Sequence, residues 1–387
     1  MKTSSDNPAL IESIRAEIRT RGPQSFAWFM QNALYHPEHG YYSSGRAAIG
    51  RHGDFFTSVS VGPLFGQLLA AQFAEIWDRM GRIDNFVIVE QGAHDGQFAR
   101  DVLEAMQQRA PDFFSAVRYR IAEPFPIWRD RQQKVLEPFL GKVEWCRELS
   151  SPSKISPHLN PLPGGEEDAK RQVRAKPFEP FTGVHFSNEL LDAMPIHLPG
   201  KLVDLDGDEF VFIDRAVSDG ARFNQRALDW IDKVAANLQR GYIIAVDYGH
   251  MRDEFEPAIQ VRAQHRHLDS PFEQIGQADI TAHVDWTSVI ERAKKDGLRV
   301  AGFTDQHHFL TGLLSSWPEI LQAGSLDSTA LSGQVRVTDV NGKAQREMQT
   351  LLHPEMMGRS FQVLALAKDV DPGPPLSGFK FARPLEQ

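Results

Sequence analysis

From Phe86 onward the chain alternates short apolar runs with longer amphipathic stretches, and few folds accept that rhythm. The runs are Phe86–Glu90, Val117–Glu123, Val143–Cys146, Gly183–Asn188 and Tyr242–Asp247, and short runs alternating with helical stretches are the signature of a parallel α/β sheet. Between the first two, Phe98, Val102, Leu103 and Met106 fall on one face of a helix. Leu298–Thr304 and Phe361–Lys368 supply the last two runs. Seven strands with intervening helices predict an α/β fold with a doubly wound sheet.

The first eighty residues read differently. Asn7-Pro8 before Leu10, Ile11, Ile14 and Ile18 predicts a capped amphipathic helix. Ser25 predicts the cap of a second helix carrying Phe26, Phe29, Met30, Ala33 and Leu34. Pro63 opens a third, with Leu64, Leu68, Phe73, Ile76 and Trp77, and Gly81 closes it. We therefore expect a helical N-terminal subdomain over residues 1–81 and the sheet domain over 82–387. Three segments interrupt the sheet domain. Ser150–Pro180 is rich in Pro, Gly and charge without periodicity and reads as a mobile surface insertion. Lys201–Ala216 alternates around Asp206-Gly207, a hairpin signal. Residues 251–289 form a polar insertion.

Composition narrows the function. A formal net charge of -9 argues against a nucleic-acid surface. Cys146 is the only cysteine, which excludes an intramolecular disulfide and a cysteine-rich zinc site. No apolar run reaches the ~20 residues of a membrane span, and no signal or transit peptide is evident, so a cytoplasmic protein is expected.

The candidate chemistry gathers at strand ends. Glu90-Gln91-Gly92-Ala93-His94-Asp95-Gly96 is a glycine-bearing turn between strand and helix. Such a turn lets a ligand approach the backbone and offers free helix N–H groups. The acid before the glycines suits a ligand with a cationic amino group better than a pyrophosphate. An ordinary strand-to-helix turn fits the pattern equally. Glu123 ends the second strand, where a carboxylate can accept both hydroxyls of a ribose or simply face water. After the fourth strand come Asn188, Glu189 and Asp192. If a helical turn follows, the two acids share a face and could bracket a guanidinium or accept a proton; a capped helix start is the alternative. Asp247-Tyr248-Gly249-His250 follows the fifth strand on the same edge. His265 and His267 would share a strand face, but no H-E-x-x-H motif appears, and no metal site is expected.

Taken together, several stretches resemble the MidA-like family of S-adenosylmethionine-dependent methyltransferases. They are Ala33-Leu34-Tyr35-His36-Pro37 with Gly40-Tyr41-Tyr42, Gly53-Asp54-Phe55 with Thr57-Ser58, Asn188-Glu189 with Asp192-Ala193, and Asp247-Tyr248-Gly249. Asp279-Ile280-Thr281-Ala282-His283-Val284-Asp285 and Met357-Gly358 complete the set. The sequence departs from the family in having His94 for the middle glycine of the first motif and Val59-Ser60 after Thr57-Ser58. The resemblance implies a Rossmann-like, seven-stranded methyltransferase sheet with S-adenosylmethionine as cofactor. It implies cofactor contacts from Glu90, Gly92, His94, Gly96 and Glu123, with Asn188, Asp54 and Thr57. It also implies a protein arginine as acceptor, since mitochondrial members dimethylate an arginine of a respiratory complex I subunit. Glu189 and Asp192, supported by Asp247, are the expected catalytic acids, with Tyr248 and His283 toward the substrate and 251–289 on the substrate side. A non-catalytic assembly protein that kept the fold and a small-molecule methyltransferase are the alternatives.

Overall fold

The computed structural model describes residues 7–47, 57–146, 178–215, 223–252, 258–318, 320 and 337–383. Asp54 and nearly all of the expected insertion Ser150–Pro180 lie outside the described residues. Helices α1 (Pro8–Arg21) and α2 (Phe26–Tyr35) come first, separated by the short strand β1 (Gln24–Ser25). Their caps are the expected ones: the Asn7 side chain accepts from the Leu10 amide and Ser25 Oγ from the Trp28 amide. A single turn, α3 (Ser58–Val61), leads into α4 (Leu64–Arg79).

The sheet then begins. Strands β2 (Phe86–Gln91), β3 (Val117–Ala122), β4 (Val143–Cys146) and β5 (Phe181–Asn188) are joined to β8 (Leu238–His250) through the hairpin β6 (Lys201–Asp206) and β7 (Glu209–Asp214). The hairpin turns at Asp206-Gly207, as its alternation predicts. Strands β9 (Ile259–Ala263), β10 (Arg266–Leu268), β11 (Asp279–Ala282) and β12 (Val284–Asp285) follow, and β13 (Arg299–Asp305) and β14 (Phe361–Lys368) close the chain's strand list. The main sheet runs β13-β14-β8-β5-β2-β3-β4, with β12 on the far end of β8. All its pairs are parallel except those of β14, which is antiparallel to both neighbours.

The chain moves outward from β2 to β4 and then jumps back to the other side of β2. That reversal opens a crevice at the carboxyl ends of β2 and β5, where ligands of open α/β sheets bind. Side chains alternate between two cores. Phe86 and Ile88 pack in one with α4 and helix α5 (Gln97–Arg109); Val87 and Val89 pack in the other with helices Gln225–Asn237 and Trp286–Lys295. The helix that ends the expected N-terminal subdomain, α4, thus packs on the main sheet.

Helices α1 and α2 build a third core with β6–β7 and the small sheet β10-β9-β11. Phe26 and Phe29 face Phe210, Phe212 and Phe272 in it. The small sheet explains the polar insertion by its period of two: Val261, Ala263, Ile280 and Ala282 are buried, while Gln260, Arg262, Asp279 and Thr281 take the opposite face. His265 and His267 do not share a strand face. Gln264 and His265 form the two-residue turn between β9 and β10, both at positive φ (51° and 59°).

Candidate active site

A cavity of about 810 Å³ opens at the crevice between β2 and β5, within the size range of small-molecule sites. Glu90, Gly92, His94, Glu123 and Asn188 line it, with Thr57 from the N-terminal segment. The turn after β2 holds three positive φ angles, 83° at Gly92, 46° at His94 and 91° at Gly96. A Cβ at Gly92 would stand 3.3 Å from Leu190 Cδ1, so the missing side chain keeps the backbone open to a ligand. His94 takes a left-handed conformation that glycine fills without strain. Its ring packs on Trp128 at 4.3 Å between centroids, and Nε2 lies 3.2 Å from the Ala47 carbonyl oxygen.

Two carboxylates in this cavity are almost fully buried. Glu90, 4% exposed, accepts a hydrogen bond of 2.7 Å from Tyr119 Oη. Burial pushes its pKa up to about 8 against the opposing effect of that bond. Glu123 accepts from the Phe125 amide at 2.9 Å and from Gln132 Nε2 at 3.1 Å, and burial raises it to about 7. Gln132 Nε2 also donates to the His94 carbonyl at 2.7 Å, tying the glycine turn to the second strand end. The donor set fits S-adenosylmethionine: one buried acid for an ammonium group, one for vicinal hydroxyls, and an open glycine turn between them.

A second cavity, about 330 Å³, shares Tyr42 and Glu189 with the first. Buried Asp192 and Asp279, with Glu189 and Tyr248, form its floor; exposed Arg262, Arg359 and Ser360 form its rim. Glu189 sits at φ 51° and accepts from Asn188 Nδ2 at 2.9 Å. Burial, then the neighbouring Asp247, holds Glu189 well above the usual carboxyl range, and burial followed by Asp247, Glu189 and Asp279 does the same for Asp192. Tyr42 Oη donates to Asp279 Oδ1 at 2.8 Å. Tyr35 stacks on Tyr42 at 5.5 Å and donates to the Ala193 carbonyl at 3.0 Å.

The expected site residues thus divide. Glu189 lines both cavities; Asp192, Tyr248 and His283 line only the second. No regular helix follows Asn188: the acids come together on an irregular turn. Asp247 lines neither cavity. Its Oδ2 accepts from the amides of Leu190, Leu191 and Asp192 at 3.0, 2.7 and 3.4 Å, and Oδ1 from Tyr248 at 2.8 Å. With both oxygens spent on backbone, it shapes the turn that carries Glu189 and Asp192 instead of meeting a ligand. Gly96 does not line the cavity either; it starts α5, with Gln132 Cα 3.3 Å from where its Cβ would be. Sequence reasoning missed Gln132, Trp128 and Asp279 as site residues. Asp279 and Tyr42 stood within the quoted stretches, but nothing local marks them as partners 237 residues apart.

No helix among the described residues is long and apolar enough to cross a membrane. The model of a family described as "Putative S-adenosyl-L-methionine-dependent methyltransferase" matches residues 68–201 and 210–304. The chain is 27% identical to the Protein arginine methyltransferase NDUFAF7 homolog, mitochondrial, of Drosophila melanogaster over 94% of this chain and 86% of that protein. It is 23% identical to the human Protein arginine methyltransferase NDUFAF7, mitochondrial, over 99% and 88%. A crystal structure of a "likely methyl transferase from Burkholderia thailandensis bound to S-adenosyl-homocysteine" superposes with TM-score 0.76 at 27% identity, covering 97% of this chain and 95% of that one. The cytoplasmic expectation is corrected by these relatives, which are named as mitochondrial proteins. With a family model matched over more than half its length, the chain belongs to the S-adenosylmethionine-dependent methyltransferases and uses S-adenosylmethionine as its cofactor.

Proposed function

We propose that this enzyme methylates an arginine side chain of a protein, seated in the smaller cavity. The observation that carries the reading is the shared wall: the acid-floored cavity meets the cofactor cavity at Glu189. The curated relatives' names support the same acceptor.

In this reading Glu90 and Asn188 hold the amino-acid end of the cofactor, Glu123 its ribose hydroxyls, and Gly92, His94 and Thr57 the space between. Bound S-adenosylmethionine supplies a methyl group on a sulfonium centre. The protein's part is alignment, which alone contributes several kcal/mol. A guanidinium has a pKa above ~12 and keeps its proton until it is alkylated. Glu189 and Asp192 orient it by charged hydrogen bonds and take the proton released from the methylated nitrogen. Their raised proton affinity suits that role. Before the substrate arrives burial favours their neutral forms; an incoming cation lowers their pKa and ionises them. Tyr248 and His283 face the same substrate. The polar segment 251–289 and Tyr42 serve the acceptor side together with Glu189, Asp192 and Tyr248, and the strand ends with Thr57 hold the donor.

The test is methyl transfer from labelled cofactor into an arginine peptide and into protein in a lysate. Label appearing only in small molecules would overturn the reading. Calorimetry in buffers of different ionisation enthalpy should show proton release when the peptide binds.

A further inference from the structure

The second cavity is bipolar in a way the acceptor alone does not explain. Its floor is acidic, yet two exposed arginines from unrelated elements converge on its mouth: Arg262 from β9 and Arg359 from the turn before β14. In a chain of net charge -9 this is a local reversal of sign. Arg262 stands opposite Asp279 in register, but its Nη2 donates to Gln260 Oε1 at 2.9 Å, while Asp279 takes its bond from Tyr42. His283 is half-buried, lies beside Gln260, and is held below the usual histidine range by burial, then by His250 and Arg262. The two arginines therefore supply the fixed positive charge at the mouth.

An arginine entering side chain first carries its own backbone and neighbours to this mouth. We propose that Arg262 and Arg359 select targets in which the methylated arginine is flanked by aspartate or glutamate, and disfavour basic surroundings. This rests on the arginine-acceptor reading above. The recognition is charge-assisted hydrogen bonding between guanidinium and carboxylate at a partly exposed rim, so it is moderate and salt-sensitive.

The experiment uses the full chain and end-capped peptides with one central arginine flanked by glutamate, alanine or lysine. Binding is read by fluorescence anisotropy with S-adenosylhomocysteine present, and turnover by methyl incorporation. Affinity should fall about fivefold from glutamate to alanine flanks and further to lysine, with the differences shrinking at ~0.5 M salt. The double reversal R262E/R359E should invert the order, R262K should keep it, and all variants should bind S-adenosylhomocysteine as the parent does. Equal affinities for the three peptides, or an unchanged order in the double reversal, would overturn the proposal. The acceptor reading fails separately: a peptide with lysine in place of the central arginine would then be methylated as well as the arginine one, whatever its flanks.

Discussion

The two cavities of this enzyme are built by different means. The larger one sits where the parallel sheet reverses and is lined by Glu90, Glu123 and Asn188 at the ends of the neighbouring strands β2, β3 and β5, with Thr57 from the N-terminal segment. The smaller one is assembled from parts far apart in the chain, Tyr42 after α2, Glu189 and Asp192 after β5, Asp279 on β11 and Arg359 before β14. The larger cavity thus draws mainly on the sheet, and the smaller one joins the sheet's strand ends to the elements added around them.

That contrast can be broken by experiment. The largest effect is expected for Glu189→Gln, which should lower single-turnover rate about 10²–10³-fold while leaving S-adenosylhomocysteine affinity, measured by calorimetry, far less altered. An equal loss of both would assign Glu189 to the donor side alone. Glu123→Gln should do the reverse. It should weaken S-adenosylhomocysteine about tenfold with little change in peptide KM, and a purely peptide-side defect would refute its placement.

Asp247→Asn should join the two phenotypes, because the turn it holds reaches both cavities. One amide group cannot accept at both ends, so its NH2 would oppose either the Tyr248 amide or those of residues 190–192. Stability should fall by about 1–3 kcal/mol in chemical denaturation, with loss of turnover. Full stability in the variant would contradict the hydrogen-bond account. The smallest effect concerns pH. Glu90 is raised in the folded protein from 4.5 to about 8, so it ionises at higher pH folded than unfolded. The stability it contributes is full below the unfolded value and is lost as pH rises through the folded one. The ligand-free protein should melt a few degrees lower at pH 9 than at pH 6, and Glu90→Gln should make that slope shallower, Glu123 and Asp247, each raised to about 7, carrying part of the remainder; an unchanged slope in the variant would remove Glu90 as a source.

The sheet and the donor cavity were legible because local pattern determines them. Short apolar runs between helical stretches declare a parallel sheet, and Glu90 and Glu123 end two of them. The acceptor cavity was legible only in part. Glu189 and Asp192 stand close in sequence, but the turn that unites them depends on Asp247, 55 residues beyond Asp192. Asp247 illustrates the reason: a carboxylate spent on backbone amides looks, in sequence, like one left for substrate. His94 shows the same limit: its type marks a departure from glycine, whereas its left-handed φ and its packing on Trp128 emerge only in three dimensions.

The period of two in the small sheet has an engineering consequence. One side of β9 and β11 is committed to the third core, and the other projects Gln260, Arg262 and Thr281 toward the second cavity. Those three positions can be randomised without replacing a residue of the third core or of the larger cavity. A library confined to them should yield variants with new protein targets and the parental cofactor affinity, which makes this strand pair the natural place for target choice to drift while the chemistry stays put.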